Sequence, residues 1–220
     1  MRKRAIVFDL DGTLVDTAPD LHDTLNAVLA RRGRAGVSLD DVRHMVGDGV
    51  RALLERGFAA TGGAPSEEIF AAASAEFLDH YGANVSLHSR PFPAVLETLE
   101  RFRTAGHAMA VCTNKPHRFS AKLLADLKLA DYFGAVLGGD SLPVRKPDKQ
   151  HLLGTLAAIG ADPAHAVMVG DSANDVAAAR NAGVPVILVS FGYTATPARE
   201  LGGDLLIDSF EELPAALDRL

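Results

Sequence analysis

Six short apolar runs rich in β-branched residues recur along the chain, at residues 5–10, 108–113, 135–137, 166–169, 185–189 and 204–207. They are continuous rather than alternating, which suits strands covered on both faces, as in parallel sheets. Between the later runs the apolar residues fall at helical spacing. Val95, Leu96, Leu99 and Phe102 precede Gly106, and Leu123, Leu124 and Leu127 repeat the pattern. Leu152, Leu153 and Leu156 then lead to Gly160. Strand and helix in repetition imply right-handed crossovers. The expected fold is α/β: a doubly wound, mainly parallel sheet with a Rossmann-like core.

One stretch breaks the alternation. Leu21, Leu25, Val28 and Leu29 form an amphipathic face, with Pro19 at a helix start and Gly33 as its stop. Ser38 reads as a helix N-cap with Asp41 three residues on. Val50, Leu53, Leu54 and Phe58 follow Gly47-Asp48-Gly49, and Ile69, Phe70, Ala73 and Phe77 follow a cap at Ser66 and end near Gly82. No strand is expected between Asp16 and Leu87. Residues 16–87 therefore read as an inserted helical cap, and residues 1–15 with 88–220 as a discontinuous core domain. Pro91 and Pro93 mark the return to the sheet. This division accounts for a length of 220 residues, which exceeds the loose prior of about 150 for one domain.

Composition narrows the function classes. With 48% apolar and 23% charged residues the chain is neither disordered nor low in complexity. A net charge of −6 provides no basic footprint for nucleic acid. The single cysteine, Cys112, excludes an intramolecular disulfide and cannot build a thiolate zinc site alone. The start, Met1-Arg2-Lys3-Arg4, imitates the basic region of a signal peptide, but only Ala5-Ile6-Val7-Phe8 follows before Asp9. No apolar run approaches the ~18 residues that span a membrane. A soluble, cytoplasmic protein without a membrane or nucleic-acid partner is expected; its oligomeric state is open.

Chemistry concentrates at strand ends. The first strand delivers Asp9-Leu10-Asp11-Gly12-Thr13, and side chains two residues apart on a strand can face the same way. Asp-x-Asp before a glycine is either an anion and metal site or a turn that uses aspartate for its hydrogen bonds. A second cluster, Gly170-Asp171-Ser172-Ala173-Asn174-Asp175, follows another apolar run and opens a helix. Asp175 falls in the first helical turn, where an aspartate can equally serve as a cap. Such strand ends beside helix N-termini are where open α/β sheets bind ligands. Four converging carboxylates would repel one another unless a hard divalent cation joined them, and Mg²⁺ with a substrate phosphate is the usual combination. Thr113-Asn114-Lys115 could grip phosphate oxygens or form an ordinary polar turn. Arg145-Lys146 lies on a loop ahead of a helix begun by Pro147, where a lysine can serve a phosphate or simply be solvated. None of the eight histidines is placed as a ligand.

In this order the segments resemble the four motifs of the haloacid-dehalogenase-like superfamily: Asp9 to Thr13, Thr113, Lys146, and Gly170 to Asp175. The likeness covers nearly the whole chain, the helical insertion included. Within the superfamily the chain is similar to bacterial phosphoglycolate phosphatases. That likeness lies in Asp9 to Asp16 followed by Thr17-Ala18-Pro19-Asp20-Leu21, in Val46-Gly47-Asp48-Gly49, Pro91-Phe92-Pro93 and Thr113-Asn114-Lys115-Pro116, and in Gly138-Gly139-Asp140-Ser141 ahead of Lys146-Pro147.

The resemblance implies a Mg²⁺-dependent hydrolase of a small phosphorylated metabolite, with Asp9 as nucleophile and Asp11 as acid and base. It implies a metal held by Asp9, Asp171 and the backbone carbonyl of Asp11, and a phosphate held by Thr113, Asn114 and Lys146. Asp175 and Ser172 would support the metal and Lys146 from behind. In the cap, Gly47-Asp48-Gly49 and Arg51 are the candidates for contacting a small anionic leaving group; a helix–helix turn with a solvated arginine is the competing reading. Related sugar-phosphate phosphatases and phosphomutases share the core motifs. A dehalogenase would not need Asp11, and a phosphonate-cleaving relative would need a cap lysine, whereas residues 16–87 contain none. A phospho-aspartate receiver domain would lack the insertion.

Overall fold

The computed structural model describes residues 3–220; Met1 and Arg2 of the basic start lie outside the described residues. Its centre is a six-stranded sheet in the order β5-β4-β1-β6-β7-β8. These strands are β1 (Ala5–Phe8), β4 (Ala108–Cys112), β5 (Ala135–Leu137), β6 (Ala166–Gly170), β7 (Val186–Val189) and β8 (Leu205–Ile207). All neighbouring pairs run parallel. β1, β6 and β7 are buried throughout, whereas the edge strands β5 and β8 are only partly covered. This is the burial that continuous apolar runs require of central strands in a parallel sheet.

Alternate residues of each strand enter different layers. Ile6, Phe8, Val111, Val167 and Val169 pack with α5 (Val95–Ala105), α6 (His117–Asp126) and α9 (Leu213–Leu217) on one face. Ala5, Val7, Met168 and Leu188 pack with α7 (Lys149–Ala158) and α8 (Ala173–Ala182) on the other. Helices on both faces make the sheet doubly wound, as expected. α7 begins two residues later than Pro147 suggests, because Asp148 is its N-cap and accepts a hydrogen bond from the Gln150 N–H.

Between β1 and β4 lie α1 (Ala18–Ala30), α2 (Leu39–Met45), α3 (Val50–Ala60) and α4 (Glu67–Asn84). Ser38 and Asp41 form a reciprocal capping box at α2, and Ser66 caps α4. Leu21, Leu25, Leu54, Phe58, Phe70 and Phe77 bury their side chains among these four helices. A two-residue antiparallel pair, β2 (Val15–Asp16) with β3 (Arg90–Pro91), joins the two chain crossings. Sequence periodicity did not anticipate it, since two residues are too few to show alternation. Asp20 closes the same junction, its carboxylate accepting from the N–H groups of His88 and Ser89 and from the Ser89 hydroxyl at 2.6–2.8 Å. Among the described residues, no helix is long and apolar enough to cross a membrane.

Candidate active site

The strand register assembles the site. Phe8 lies beside Val111 on one side and Val169 on the other, so the segments leaving β1, β4 and β6 emerge together at the carboxyl edge. Asp9, Thr113 and Asp171 are each buried there, 6%, 1% and 2% exposed. Asp9 is anchored through its N–H to the Val169 carbonyl at 2.9 Å. Gly12 then turns the chain with φ +82°, and a Cβ there would meet Asp171 Oδ2 at 2.4 Å and the Tyr193 ring at 3.0 Å. Only glycine fits both the turn and the approach.

Lys146 lies at the centre. Its ammonium is 2.9 Å from Asp9 Oδ1 and 2.6 Å from Asp175 Oδ1. Burial works against its charge, but Asp175 and Asp9 outweigh that and hold its pKa above the ordinary lysine value. Asp175 is fully committed: Oδ2 accepts from the Ser172 N–H, the Ser172 hydroxyl and the Asp171 N–H at 3.0, 2.6 and 3.2 Å. Ser172 and Asp175 thus form the capping box of α8 while Asp175 pairs with Lys146. Both readings of Asp175, cap and charge partner, hold together. His151, which sequence reasoning passed over, steadies the lysine loop. Its Nδ1 accepts from the Lys146 N–H at 3.2 Å, and its Nε2 meets the Gly138 carbonyl at 3.1 Å. Burial and the nearby Lys146 lower its pKa to about 4, so it stays neutral in that role.

Asp171 is held by the Thr13 hydroxyl at 2.9 Å and the Tyr193 N–H at 2.6 Å. The Tyr193 hydroxyl bonds to Asp16 and accepts from the Ala18 N–H at 2.9 Å, tying Asp171 to the chain crossing above the sheet. Asp9, Asp171 and Asp175 each offer an oxygen within 4.8 Å of the others. Three buried carboxylates face one ammonium, so negative charge is in excess. Burial, opposed by Lys146 and reinforced by Asp175, pushes Asp9 up to about 7. Burial, then Asp9 and Asp175, pushes Asp171 well above the carboxylate range. An all-oxygen set with surplus charge fits a hard divalent cation. Because Asp175 is spent on Lys146 and α8, Asp9 and Asp171 are the carboxylates with capacity for it.

Asp11 faces away from this cluster. Its Oδ1 accepts from the Thr17 hydroxyl at 2.7 Å and from Lys115 Nζ at 2.9 Å. Asp9 and Asp11 border one cavity, with Thr113, Asn114 and Lys115 from the core and Gly47, Gly49 and Tyr81 from the helical insertion. Asn114 is differently employed from the phosphate ligand expected: its two amide hydrogens go to the Gly47 and Lys146 carbonyls, each at 3.0 Å. It joins the 47–49 loop to the lysine loop. Asp48 points outward, accepting from Asn174 Nδ2 at 2.8 Å and bonding to Arg56. Arg51 is not brought to the cavity. It pairs with Glu55 at 2.8 Å, lies over the Phe70 ring, and is 66% exposed. Lys115 and Tyr81 are polar groups of the cavity whose side chains sequence reasoning did not single out. Lys115 stands inside a motif already noted, but only the fold shows that its ammonium is buried.

A profile of the haloacid dehalogenase-like hydrolase family matches residues 6–189. The chain belongs to this family. Its relatives include phosphoglycolate phosphatases of Caulobacter vibrioides, 52% identical over 96% of this chain and 89% of that protein, and of Agrobacterium fabrum, 46% identical over 96% and 91%. The crystal structure of a predicted phosphoglycolate phosphatase from Haemophilus somnus superposes with a TM-score of 0.93, at 32% identity and 98% coverage of both chains. This haloacid dehalogenase-like hydrolase is thus an enzyme of the phosphoric monoester hydrolase class. Its buried Cys112, whose thiol burial raises to about 11, packs beneath the site as a small core residue.

Proposed function

We propose that the chain hydrolyses a small phosphate monoester, 2-phosphoglycolate, to glycolate and phosphate with Mg²⁺, through an aspartyl-phosphate on Asp9. The observation that carries this reading is the division of labour between two carboxylates on one cavity wall. Asp9 is held by the Leu10 N–H at 2.7 Å and by Lys146, both through Oδ1; Oδ2 takes no hydrogen bond among the described residues. Asp11, two residues on, is turned toward Lys115 and the insertion helices. In this reading one carboxylate attacks phosphorus and the other serves the leaving oxygen.

In the first step Asp9 Oδ2 bonds to phosphorus as the bond from phosphorus to the ester oxygen breaks. Asp11 gives that oxygen its proton. In the second step Asp11 takes a proton from water, the water oxygen bonds to phosphorus, and the Asp9–phosphorus bond breaks. Lys146 and the Thr113 hydroxyl brace the transferring oxygens, the electrostatic help that phosphoryl transfer chiefly needs. Mg²⁺, held by Asp9, Asp171 and the Asp11 carbonyl, would supply further positive charge where phosphate and Asp9 meet. Asp175 fixes Lys146, and Ser172 fixes Asp175.

Residues 16–87 act as a cap that excludes water and shapes the pocket, and residues 1–15 with 88–220 as the catalytic core. Leu21, Val46, Val50, Leu53 and Phe119 make much of the pocket apolar. That lining leaves few partners for a leaving group rich in hydroxyls and so favours a small one. Release of inorganic phosphate from 2-phosphoglycolate, sugar phosphates and sugar bisphosphates, with and without Mg²⁺, tests the proposal. A Mg²⁺-dependent preference for phosphoglycolate is expected. A preference for a sugar phosphate, or transfer to a sugar hydroxyl, would overturn the substrate named here.

A further inference from the structure

We infer that Lys115 and Tyr81 form a subsite for a carboxylate on the leaving group, so that the enzyme selects monoesters bearing an anion one carbon from the ester oxygen. The inference rests on the phosphatase reading above and names the groups that choose its substrate. Lys115 is the one cationic side chain bordering the cavity among the described residues, and its side chain is only 3% exposed. A lysine this deep needs anionic partners to stay charged. It has one, Asp11 at 2.9 Å, together with the Tyr81 hydroxyl at 2.6 Å.

The tyrosine is incompletely used. Its oxygen accepts from Lys115, but its own O–H reaches no acceptor among the described residues, although Tyr81 is 1% exposed and borders the cavity. Burial, with Asp11 and Asp20 nearby, holds its pKa well above the ordinary tyrosine value, so it remains a donor. A buried hydroxyl donor beside a buried ammonium is a pair of groups that a carboxylate satisfies.

The reaction geometry places that carboxylate. Asp11 must meet the ester oxygen to protonate it, and Lys115 lies one hydrogen bond from Asp11. In phosphoglycolate the carboxylate is one methylene from the ester oxygen, which puts it within reach of Lys115 and Tyr81. No other Lys or Arg borders the cavity among the described residues: Lys146 is held by Asp9 and Asp175 on the phosphoryl side, and Arg51 is outside with Glu55. The same pocket rejects sugars, because their hydroxyls would lie unpaired against Leu21, Val50, Leu53 and Phe119.

The test compares 2-phosphoglycolate with ethyl phosphate, which has a methyl group in place of the carboxylate. Steady-state kinetics in Mg²⁺ would be measured for the wild type, Lys115→Met and Tyr81→Phe. The wild type should prefer phosphoglycolate by about 100-fold or more in kcat/KM, the scale of charge-assisted hydrogen bonds. Lys115→Met should reduce that preference at least tenfold and Tyr81→Phe about threefold to tenfold, with KM for phosphoglycolate rising. Any loss that reaches Asp11 is shared by both substrates and cancels in the ratio. An unchanged ratio in both variants overturns the subsite. So does a wild type that hydrolyses the two esters equally, which would leave the phosphatase reading standing. A wild type active on no phosphate monoester would instead overturn that reading. Tyr81→Phe keeps the ring contacts with Phe77 and Phe119, so it decides the matter if Lys115→Met does not fold.

Discussion

Lys146 Nζ lies 2.6 Å from Asp175 Oδ1, and both side chains are sealed from solvent, 1% and 0% exposed. Asp175 belongs to the first turn of α8 and Lys146 to the loop before α7, so this contact fixes that loop against α8 at the carboxyl edge of the sheet. It also decides how strongly the same ammonium holds Asp9, 2.9 Å away.

Asp175→Asn should therefore slow turnover without unfolding the protein. The amide keeps the shape but removes the charge, so Lys146 pairs more tightly with Asp9 and blunts it. Loss of one partner of a buried ion pair costs about 3–5 kcal/mol. A fall in kcat of about 10²-fold or more is expected, with unchanged far-ultraviolet circular dichroism and a lowered melting temperature. Wild-type kcat in this variant would contradict the arrangement.

Gly170→Ala tests the same contact sterically. A Cβ at residue 170 would lie 2.4 Å from Asp175 Cγ, a clash with a side chain already held by four groups. Overpacking of this kind costs about 1–3 kcal/mol. Urea denaturation should show that loss, and kcat should fall with it.

Asp20→Ala addresses the junction between the helical insertion and the sheet. Removing the carboxylate takes the shared acceptor from the buried Ser89 N–H and hydroxyl and from the His88 N–H. A destabilisation of about 2–4 kcal/mol is expected from the three lost charge-assisted bonds and the groups left without that acceptor. Thermal denaturation measures it, and Asp20→Asn should recover part of the loss.

Acid should change how much Mg²⁺ stabilises the fold. In the metal-free protein burial holds the Asp9 proton up to about 7, against an ordinary value of 3.8. Between these values the folded chain binds more protons than the unfolded one, so this group's contribution to stability falls as pH rises. A cation relieves that loss, but at low pH it must first displace the proton. The melting-temperature difference between Mg²⁺ and chelator should therefore be larger at pH 7.5 than at pH 5.5. An equal or inverted difference would contradict the assignment of Asp9 to the cation.

The sheet was legible because central strands of a parallel sheet have no solvent face, so the runs around Val7, Val111, Val169 and Leu188 are apolar without interruption. The acidic motifs were legible because each sits where such a run stops. The β2–β3 pair was not, since its two residues per strand owe their pairing to the return of the chain at Arg90. Arg51 was placed at the pocket on its nearness to Gly49, yet helical spacing argues otherwise: Leu53, Leu54 and Phe58 bury one face of α3, and Arg51 with Glu55 falls on the other. The Lys115 side chain was not singled out for the converse reason. Nothing local marks a lysine as buried when the groups that cover it, such as Tyr81, lie far away in sequence.

The central claim is that Asp9 forms the bond to phosphorus. Phosphate release from 2-phosphoglycolate in saturating Mg²⁺, measured for the wild type and for Asp9→Asn, tests it most directly. The account predicts a variant that folds and melts like a native protein with turnover reduced by about 10⁴-fold or more, since no other carboxylate replaces a covalent nucleophile. Turnover in Asp9→Asn within about tenfold of the wild type would contradict it.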